Sequence, residues 1–236
     1  MFSDKFVVGI IVARGGGSTF YRKNAFPVQG RPVLAWAIDI MRSAGFIDKV
    51  FVWTEDAELK RITEECGAVA LHRPREMVHY FSGYHSISEW NQTQGRQMYE
   101  HLGRKSDYLV SYNCNCICFR PESLVDMMQA LHKSRERALR IQGICRVESG
   151  LCLVSPKDGR LFPFWNDQEQ PLDTNPQLYR IVGVGIMNHT VPHSSSLETL
   201  YHEVLSGEGF DFQNEQDIPI AEYCVRSHCN NTTRKA

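Results

Sequence analysis

Three consecutive glycines flanked by cations lie near the N-terminus of the sequence. Within residues 13–24, the glycine triplet 15–17 stands between Arg14 and the pair Arg22 and Lys23. Glycines have no Cβ, so their backbone N–H groups can approach a polyphosphate closely, and the cations would compensate its charge. The stretch therefore predicts a phosphate-binding loop, and a mobile surface turn with solvated cations is the alternative. It has neither the G-K-[ST] ending of a Walker loop nor the G-x-G-x-x-G spacing of a dinucleotide loop.

The elements on either side of this loop must position it. Residues 6–12 form a continuous apolar, β-branched run, which is typical of a parallel strand covered on both faces. Residues 33–44 carry apolar side chains at helical spacing, and Pro32 suits a first helical turn. A strand followed by a loop and a helix puts the loop at the carboxyl edge of a sheet, where open α/β sheets bind ligands.

The alternation of strands and helices continues along the chain. Further strands are predicted at 49–54, 68–71 and 108–112, and further helices at 56–66, 86–101 and 121–134. This order predicts an α/β fold with a doubly wound, mostly parallel sheet. After Arg140 the pattern changes to short β-prone pieces at 141–147, 150–154 and 182–187. A helix at 196–205, a short strand at 210–212 and a helix at 218–227 complete the prediction.

Length and charge limit the classes of protein. The 236 residues carry 26 Lys and Arg against 27 Asp and Glu, and no linker or same-sign block divides them. One domain spanning residues 1–236 is therefore predicted, without the charge footprint of a protein that binds nucleic acid or an acidic membrane surface. The longest apolar run is far shorter than the roughly 18 residues that cross a bilayer, and it lacks a signal cleavage site. We expect a cytoplasmic protein.

The eight cysteines are too dilute in a chain of this length for a disulfide scaffold, so reduced thiols are expected. Cys114, Cys116 and Cys118 alternate, which would place their sulfurs on one face of an extended segment. Their spacing lacks the C-x₂-C pairs of usual zinc sites. The pattern favours buried structural thiols over a metal or redox site.

The glycine-rich segment resembles the signature of the acylneuraminate cytidylyltransferase (CMP-sialic acid synthetase) family, A-R-G-G-S-K-G followed by x-R-K-N. Five residues match it without a gap and are nucleotide-binding by this resemblance, namely Arg14, Gly15, Gly16, Lys23 and Asn24. Further matches lie at 30–36, 52–56, 73–76, 179–180, 183 and 217–222. The resemblance implies a divergent member with a nucleotide-diphospho-sugar transferase-like fold.

Individual roles on the nucleotide side follow from the same resemblance. Arg14 and Lys23 would contact the triphosphate and serve catalysis, Asn24 would contact the nucleotide, and Arg73 would contact the base or phosphate region. Ordinary surface cations are the alternative for Lys23 and Arg73. A turn cap is the alternative for Asn24.

The acceptor side departs more from the family pattern. Asn113 falls where the family has a glutamine that contacts the sugar, and we assign the matching Tyr179 and Arg180 to the same substrate. Val182 falls where the family often has asparagine, and Tyr80 replaces an aspartate within an aromatic-rich stretch. The resemblance therefore implies a rebuilt acceptor pocket and an acceptor other than ordinary sialic acid.

Two departures remove charge. Ser18 stands where the family has lysine, and Arg22 could substitute for it. The family's Asp-x-Asp pair, which holds Mg²⁺, aligns with Asp211-Phe212-Gln213, so Gln213 offers only a neutral carbonyl. Asp211 remains the catalytic and Mg²⁺-binding candidate, with a strand-end turn residue as the alternative.

Metal binding at Asp211 should then be weak unless Asp217 or Glu215 contributes. The leading hypothesis is an enzyme that transfers CMP from CTP to an acidic acceptor, with pyrophosphate leaving. A nonulosonic acid, a Kdo-like sugar or a phosphonate would suit as acceptor. The alternative is a catalytically impaired nucleotide- or sugar-binding homologue.

The resemblance also implies a homodimer. The β-rich segment at about 140–182 would reach over the partner and complete its acceptor pocket, with the aromatic run 162–165 as an apolar anchor. The alternative is that this run closes the core of its own domain.

Overall fold

The computed structural model describes residues 4–16, 20–78, 86–134, 138–146, 152–154, 161–163, 179–191 and 198–232. Its strands are β1 (Val7–Val12), β2 (Pro27–Val28), β3 (Arg31–Pro32), β4 (Lys49–Thr54), β5 (Val69–His72), β6 (Tyr108–Asn113), β7 (Ala138–Arg146), β8 (Cys152–Val154), β9 (Leu161–Pro163), β10 (Tyr179–Asn188) and β11 (Glu198–Val204). Its helices are α1 (Val33–Ser43), α2 (Ala57–Glu65), α3 (Ile87–Leu102), α4 (Pro121–Lys133) and α5 (Ile218–Thr232). Within these residues, no helix combines the length and the apolar character needed to cross a bilayer.

A mixed sheet organises the described part of the chain, with its strands in the order β11-β7-β10-β6-β1-β4-β5. Strands β6, β1, β4 and β5 are parallel to one another, and β11 is parallel to β7. Strand β10 lies between β6 and β7 and is antiparallel to both. The predicted α/β fold with a mostly parallel sheet is confirmed.

Helices cover the two faces of this sheet unequally. Side chains of α1, α2, α4 and α5 form a core on one face together with Val7 and Ile11. On the other face, Met98 of α3 packs in a cluster with Ile10 and Trp53. Successive residues of β1 thus point into different cores, as the period of a strand requires.

Side-chain caps mark the starts of α2 and α3. Asp56 accepts a hydrogen bond of 3.0 Å from the Leu59 N–H at the start of α2. Ser86 and Glu89 form a capping box at the start of α3, and Gly103 ends that helix in a left-handed conformation with φ 68°. These helices are confirmed close to their predicted ends.

The helix predicted at 196–205 is wrong, because this segment forms strand β11. Leu200 and Val204 have helical spacing, but the segment pairs with β7 along its whole length. Val204 is buried and Tyr201 is exposed, as alternation in a strand requires. Pairing with a neighbouring strand outweighs the local preference here. The short strand predicted at 210–212 is also wrong, since these residues form an irregular connection.

The cysteine predictions are confirmed only in part. Cys114 and Cys116 are buried free thiols, but strand β6 ends at Asn113 and the chain then turns, so the segment is not extended. Cys118 forms a disulfide with Cys224 of α5, with 5.1 Å between the Cα atoms. The expectation of reduced thiols is therefore wrong at this pair, whose 106-residue separation hides its proximity in the sequence.

Some predictions fall on parts of the chain that the structure does not describe. Ser18 and Tyr80 lie outside the described residues, as do Phe164 and Trp165 of the proposed aromatic anchor. Of the segment at about 140–182, the structure describes the end of β7, the antiparallel pair β8 and β9, and the start of β10. The homodimer and the single domain stay predictions.

Candidate functional site

Lys23 lies at the carboxyl edge of the sheet, in a short 3-10 turn after the glycine-rich loop. Its ammonium donates a hydrogen bond of 2.8 Å to the side-chain oxygen of Gln213. Burial lowers the pKa of Lys23, the Asp211 carboxylate opposes this shift, and the charge of Arg14 adds to it. Lys23 is thus a half-buried cation next to Arg14 and Asp211. The alternative of an ordinary surface cation does not fit this position.

Asp211 is held by two side-chain amides. One carboxylate oxygen accepts a hydrogen bond from Asn115, and the other accepts one from the amide nitrogen of Gln213. The same Gln213 amide therefore joins Lys23 to Asp211. We call the linked side chains Lys23, Gln213, Asp211 and Asn115 the amide bridge.

Sequence reasoning missed Asn115. It lies in the turn between Cys114 and Cys116, where the sequence pattern points only to the cysteines. The available signal was its position just past the end of a parallel strand, where polar residues of open α/β sheets face ligands.

Asp217 supports this segment from outside the amide bridge. Its carboxylate accepts hydrogen bonds from the backbone N–H groups of Gln213 at 2.7 Å and Asn214 at 2.9 Å. It thereby caps the 3-10 turn Glu215–Asp217 that precedes α5. The carboxylate that was a candidate to assist a metal ion at Asp211 thus has a capping role.

The glycine-rich loop is tied to its surroundings by backbone contacts. The buried Asn24 donates its amide N–H to the carbonyl of Arg14 at 2.9 Å, which joins the two ends of the loop. The N–H of Gly15 donates to a carboxylate oxygen of Glu55 at 2.8 Å. A Cβ at Gly15 would lie 2.3 Å from the Asp56 carboxylate, so only glycine fits. Nucleotide contacts of Asn24, Gly15 and the exposed Gly16 stay predictions.

Arg22 does not face the loop as a free cation. Its guanidinium forms ion pairs with Asp56 at 3.1 Å and with Glu58, at the start of α2. Hydrogen bonding to Asp56 raises the pKa of Arg22. The two carboxylates therefore compete with any phosphate for the charge that was expected to replace the missing lysine at Ser18.

Arg73 is almost fully buried, which makes the surface-cation alternative wrong for it. Its guanidinium donates to the backbone carbonyl of Met77 at 2.7 and 3.0 Å, and its carbon lies 5.0 Å from the Trp53 ring and 4.5 Å from the Trp90 ring. Burial lowers the pKa of Arg73 to about 10, and the nearby Glu55 charge opposes this. Arg73 thus holds the chain after β5 through cation–π contacts and hydrogen bonds.

The residues assigned to the acceptor gather near the same edge. Asn113 ends β6 beside Val12 of β1, and its side chain lies directly over Gly183. Because β10 is antiparallel to β6, its beginning lies at the carboxyl edge of β6. Tyr179 is exposed and donates to Glu203 at 3.3 Å, while Arg180 donates to the carbonyl of Gly209.

The elements thus bring Arg14, Lys23 and Asp211 close together, with Asn113 at the same edge of the sheet. Such a site can neutralise and orient an anionic substrate through charges that are partly removed from water. The described residues contain no group of three or more His, Cys, Asp or Glu side chains that could hold a metal ion.

Comparison with known proteins supports the resemblance over the N-terminal part. Residues 8–79 match the sequence model of a family described as cytidylyltransferase. Over a stretch of 72 residues, the chain is 34% identical to an N-acylneuraminate cytidylyltransferase of Escherichia coli O18:K1:H7. This aligned stretch covers 30% of this chain and 17% of that protein. The chain thus spans about a sixth of the length of this curated relative. The predicted resemblance to cytidylyltransferases is confirmed for this region, which contains the loop and Arg73.

Solved structures confirm the fold over nearly the whole chain. A CMP:2-keto-3-deoxy-manno-octonic acid synthetase complexed with CTP superposes with a TM-score of 0.67 at 12% identity, over 94% of this chain and 99% of that chain. A 4-diphosphocytidyl-2C-methyl-D-erythritol synthase from Anaerococcus prevotii DSM 20548 gives a TM-score of 0.59 at 13% identity, with the same coverage. These two structures therefore share the fold of this chain.

Proposed function

We propose that this protein is a cytidylyltransferase that transfers CMP from CTP to an acidic acceptor and releases pyrophosphate. The observation that carries the proposal is the half-buried Lys23 ammonium beside Arg14, within the region that matches the cytidylyltransferase family. The structural neighbour solved with CTP is a synthetase of a CMP-linked acidic sugar. These findings together favour CTP as the nucleotide.

In the proposed reaction an acceptor oxygen attacks the α-phosphorus of CTP, the bond from this phosphorus to the oxygen that bridges to the β-phosphate breaks, and pyrophosphate leaves. The proton of an acceptor hydroxyl passes to water. The chain contributes position and charge. Lys23 and Arg14 would bind the triphosphate and stabilise the charge that develops on the leaving pyrophosphate. Gln213 accepts a hydrogen bond from Lys23 and so limits the directions in which the ammonium can point.

The acceptor would lie against Asn113, whose side chain packs over Gly183 and needs a residue without a Cβ there. A nonulosonic acid, a Kdo-like sugar or a phosphonate has the hydroxyl or acid oxygen and the negative charge that this reaction needs. Tyr179 and Arg180 are the proposed further contacts on the β10 side. Their present partners, Glu203 and the Gly209 carbonyl, would then compete with the acceptor.

Magnesium is the cofactor that the resemblance implies, with Asp211 as its ligand. The donor set does not fit an ion held by the protein alone, because both Asp211 oxygens accept hydrogen bonds from amides and Gln213 is neutral. Mg²⁺ is usually held by one or two carboxylates together with substrate phosphates. No step of the proposed reaction is therefore assigned to a protein-bound metal.

A second candidate function is a catalytically impaired homologue that binds a nucleotide or sugar. The observation that favours it is the neutral Gln213 amide beside Asp211, where a second carboxylate would be needed for strong Mg²⁺ binding, together with the amide hydrogen bonds that both Asp211 oxygens already accept. We keep a homodimer as part of the proposal. The sequence predicts a cytoplasmic location, and one observation stands against it. The Cys118–Cys224 disulfide argues against a reducing compartment.

Pyrophosphate release separates the two functions. The protein is incubated with CTP and a panel of acidic sugars and phosphonates, with UTP in place of CTP as the control, and CTP binding is measured in parallel. Turnover with at least one acceptor supports the transferase. Tight CTP binding without turnover supports the impaired homologue, and the absence of both rejects the two proposals together.

A further inference from the structure

Asn115 binds the segment that carries Asp211 at two points. Its side-chain amide donates to one Asp211 oxygen, and its backbone carbonyl accepts the Phe212 N–H at 3.1 Å. Phe212 is fully buried, and its ring lies 5.8 Å from that of Phe20 and 6.2 Å from that of Phe26. The turn after β6 and the connection before α5 are therefore held together in the region next to Lys23.

The direction of the Gln213 amide follows from these contacts. A glutamine side chain has one oxygen that accepts and one NH₂ group that donates. Asp211 is a carboxylate and takes the NH₂ group, so the oxygen turns to the ammonium of Lys23. The orientation of Asp211 thus decides which atom Lys23 meets.

A covalent link stabilises the same arrangement. Cys118 follows Asn115 by three positions, and its disulfide partner Cys224 belongs to α5, which begins just after the Asp217 cap. The two segments that meet in the amide bridge are thus joined at a second place. The disulfide thus ties the segment that contains Asn115 to the helix that follows Asp211.

We propose that Asn115 is a positioning residue for Lys23, because it holds Asp211 in the orientation in which Gln213 presents its oxygen to the ammonium. This inference rests on the proposed function, in which Lys23 binds the triphosphate of CTP. Without the Asn115 amide, the Asp211 carboxylate gains freedom to turn toward Lys23 and pair with it directly. A direct ion pair would compete with the triphosphate for the same ammonium.

A double-mutant cycle tests the inference. Affinity for CTP is measured by calorimetry at a fixed magnesium concentration for the wild type, Asn115→Ala, Lys23→Gln and the double variant. Asn115→Ala should weaken CTP binding about tenfold, which lies within the range of couplings measured in shared hydrogen-bond networks. In the Lys23→Gln background the same change should have no further effect.

Asn214→Ala is the matched control. Asn214 lies in the same connection, and its side chain accepts the Gln216 N–H at 3.0 Å within the 3-10 turn. Its removal should change CTP affinity by less than about twofold, as for most surface changes. If Asn115→Ala does not fold, Asn115→Leu replaces it, since leucine has a similar shape, cannot donate to Asp211 and adds no charge.

The outcomes distinguish this inference from the proposed function. Additive effects of the two substitutions, or normal CTP affinity in a folded Asn115 variant, would overturn the positioning role while CTP binding by the wild type stands. If the wild type binds no CTP, the proposed function fails and the inference fails with it. A loss of affinity that depends on Lys23 supports the inference.

Discussion

The Lys23 ammonium donates a hydrogen bond of 2.8 Å to the Gln213 side-chain oxygen, although 190 positions separate the two residues in the chain. The contact joins the loop after the first strand to the connection before the last helix. Only the first of these two segments lies within the region that matches the cytidylyltransferase family. Predictions about the site therefore have to test both segments.

Lys23→Ala should weaken CTP binding by at least about tenfold, because a hydrogen bond to a charged group contributes about 1.5–3 kcal/mol. The melting temperature should change little, since burial of this charge is itself unfavourable. Calorimetry and thermal unfolding measure the two effects. Lys60→Ala is the control, because Lys60 is exposed and pairs with Glu64 at 3.9 Å. A large loss of stability with normal CTP affinity would identify Lys23 as structural.

Gln213→Asp should tighten Mg²⁺ binding, because it places a second carboxylate beside Asp211 and Mg²⁺ prefers charged oxygen ligands. Turnover of CTP should rise or appear. Magnesium titration by calorimetry and pyrophosphate release provide the measurements. If this variant changes neither quantity and Asp211→Ala is also silent, the metal site is not at this position. The impaired homologue then becomes the better description.

Gly183→Ala should raise the KM for the acceptor and leave CTP affinity unchanged. The new Cβ would lie 2.3 Å from the amide nitrogen of Asn113, so this side chain must move. Steady-state kinetics with the best acceptor of the panel measures the effect. Gly95→Ala is the control, because a Cβ at Gly95 would meet no atom within 4 Å. Equal kinetics for the two variants would show that Asn113 does not contact the acceptor.

Reduction of the Cys118–Cys224 disulfide should lower the stability by about 2–5 kcal/mol, because it removes a cross-link over a long stretch of chain. For a chain of this size the melting temperature should fall by roughly 5–15 °C. Thermal unfolding with and without a dithiol reductant, and of the Cys118→Ser/Cys224→Ser variant, provides the measurement. Cys66→Ser should melt like the wild type, since Cys66 is a free thiol. No change on reduction, together with free thiols at both positions by mass spectrometry, would contradict the bond.

Light scattering at micromolar concentration should give the mass of a dimer. The segment at about 140–182 is the proposed contact, through the apolar side chains near β9. Phe162→Ser should shift the mass toward the monomer without unfolding the protein, because aromatic residues are enriched in interface cores. A monomeric wild type would reject the dimer, and an insoluble Phe162 variant would favour the alternative that this run closes its own core.

Local patterns were sufficient for most of the fold. The apolar run of β1, the caps at Asp56 and Ser86 and the regular alternation up to α4 are all properties of neighbouring residues. Strand β11 was missed because its apolar spacing fits a helix, and only pairing with β7 decides the outcome. Pairing partners lie far apart in the chain, and periodicity carries no information about them.

The site was predictable where it follows the loop signature and not where it depends on distant contacts. Lys23 and Asp211 were both named from the sequence, and the structure brings them together. The sequence did not indicate that Gln213 bridges Lys23 and Asp211. An amide in place of a carboxylate indicates only that a charge is lost. Asn115 and the Cys118–Cys224 bond depend on how α5 packs against the turn after β6, which no local motif indicates.

The position of β10 between β6 and β7 affects how the protein is made on the ribosome. Strand β6 is complete at residue 113, but its antiparallel partner begins only at residue 179. At about 5–20 residues per second, translation leaves this strand edge without its partner for roughly 3–13 s. An unpaired edge is a template for pairing with other chains. Until β10 has emerged, this edge of β6 is therefore open to pairing with other chains.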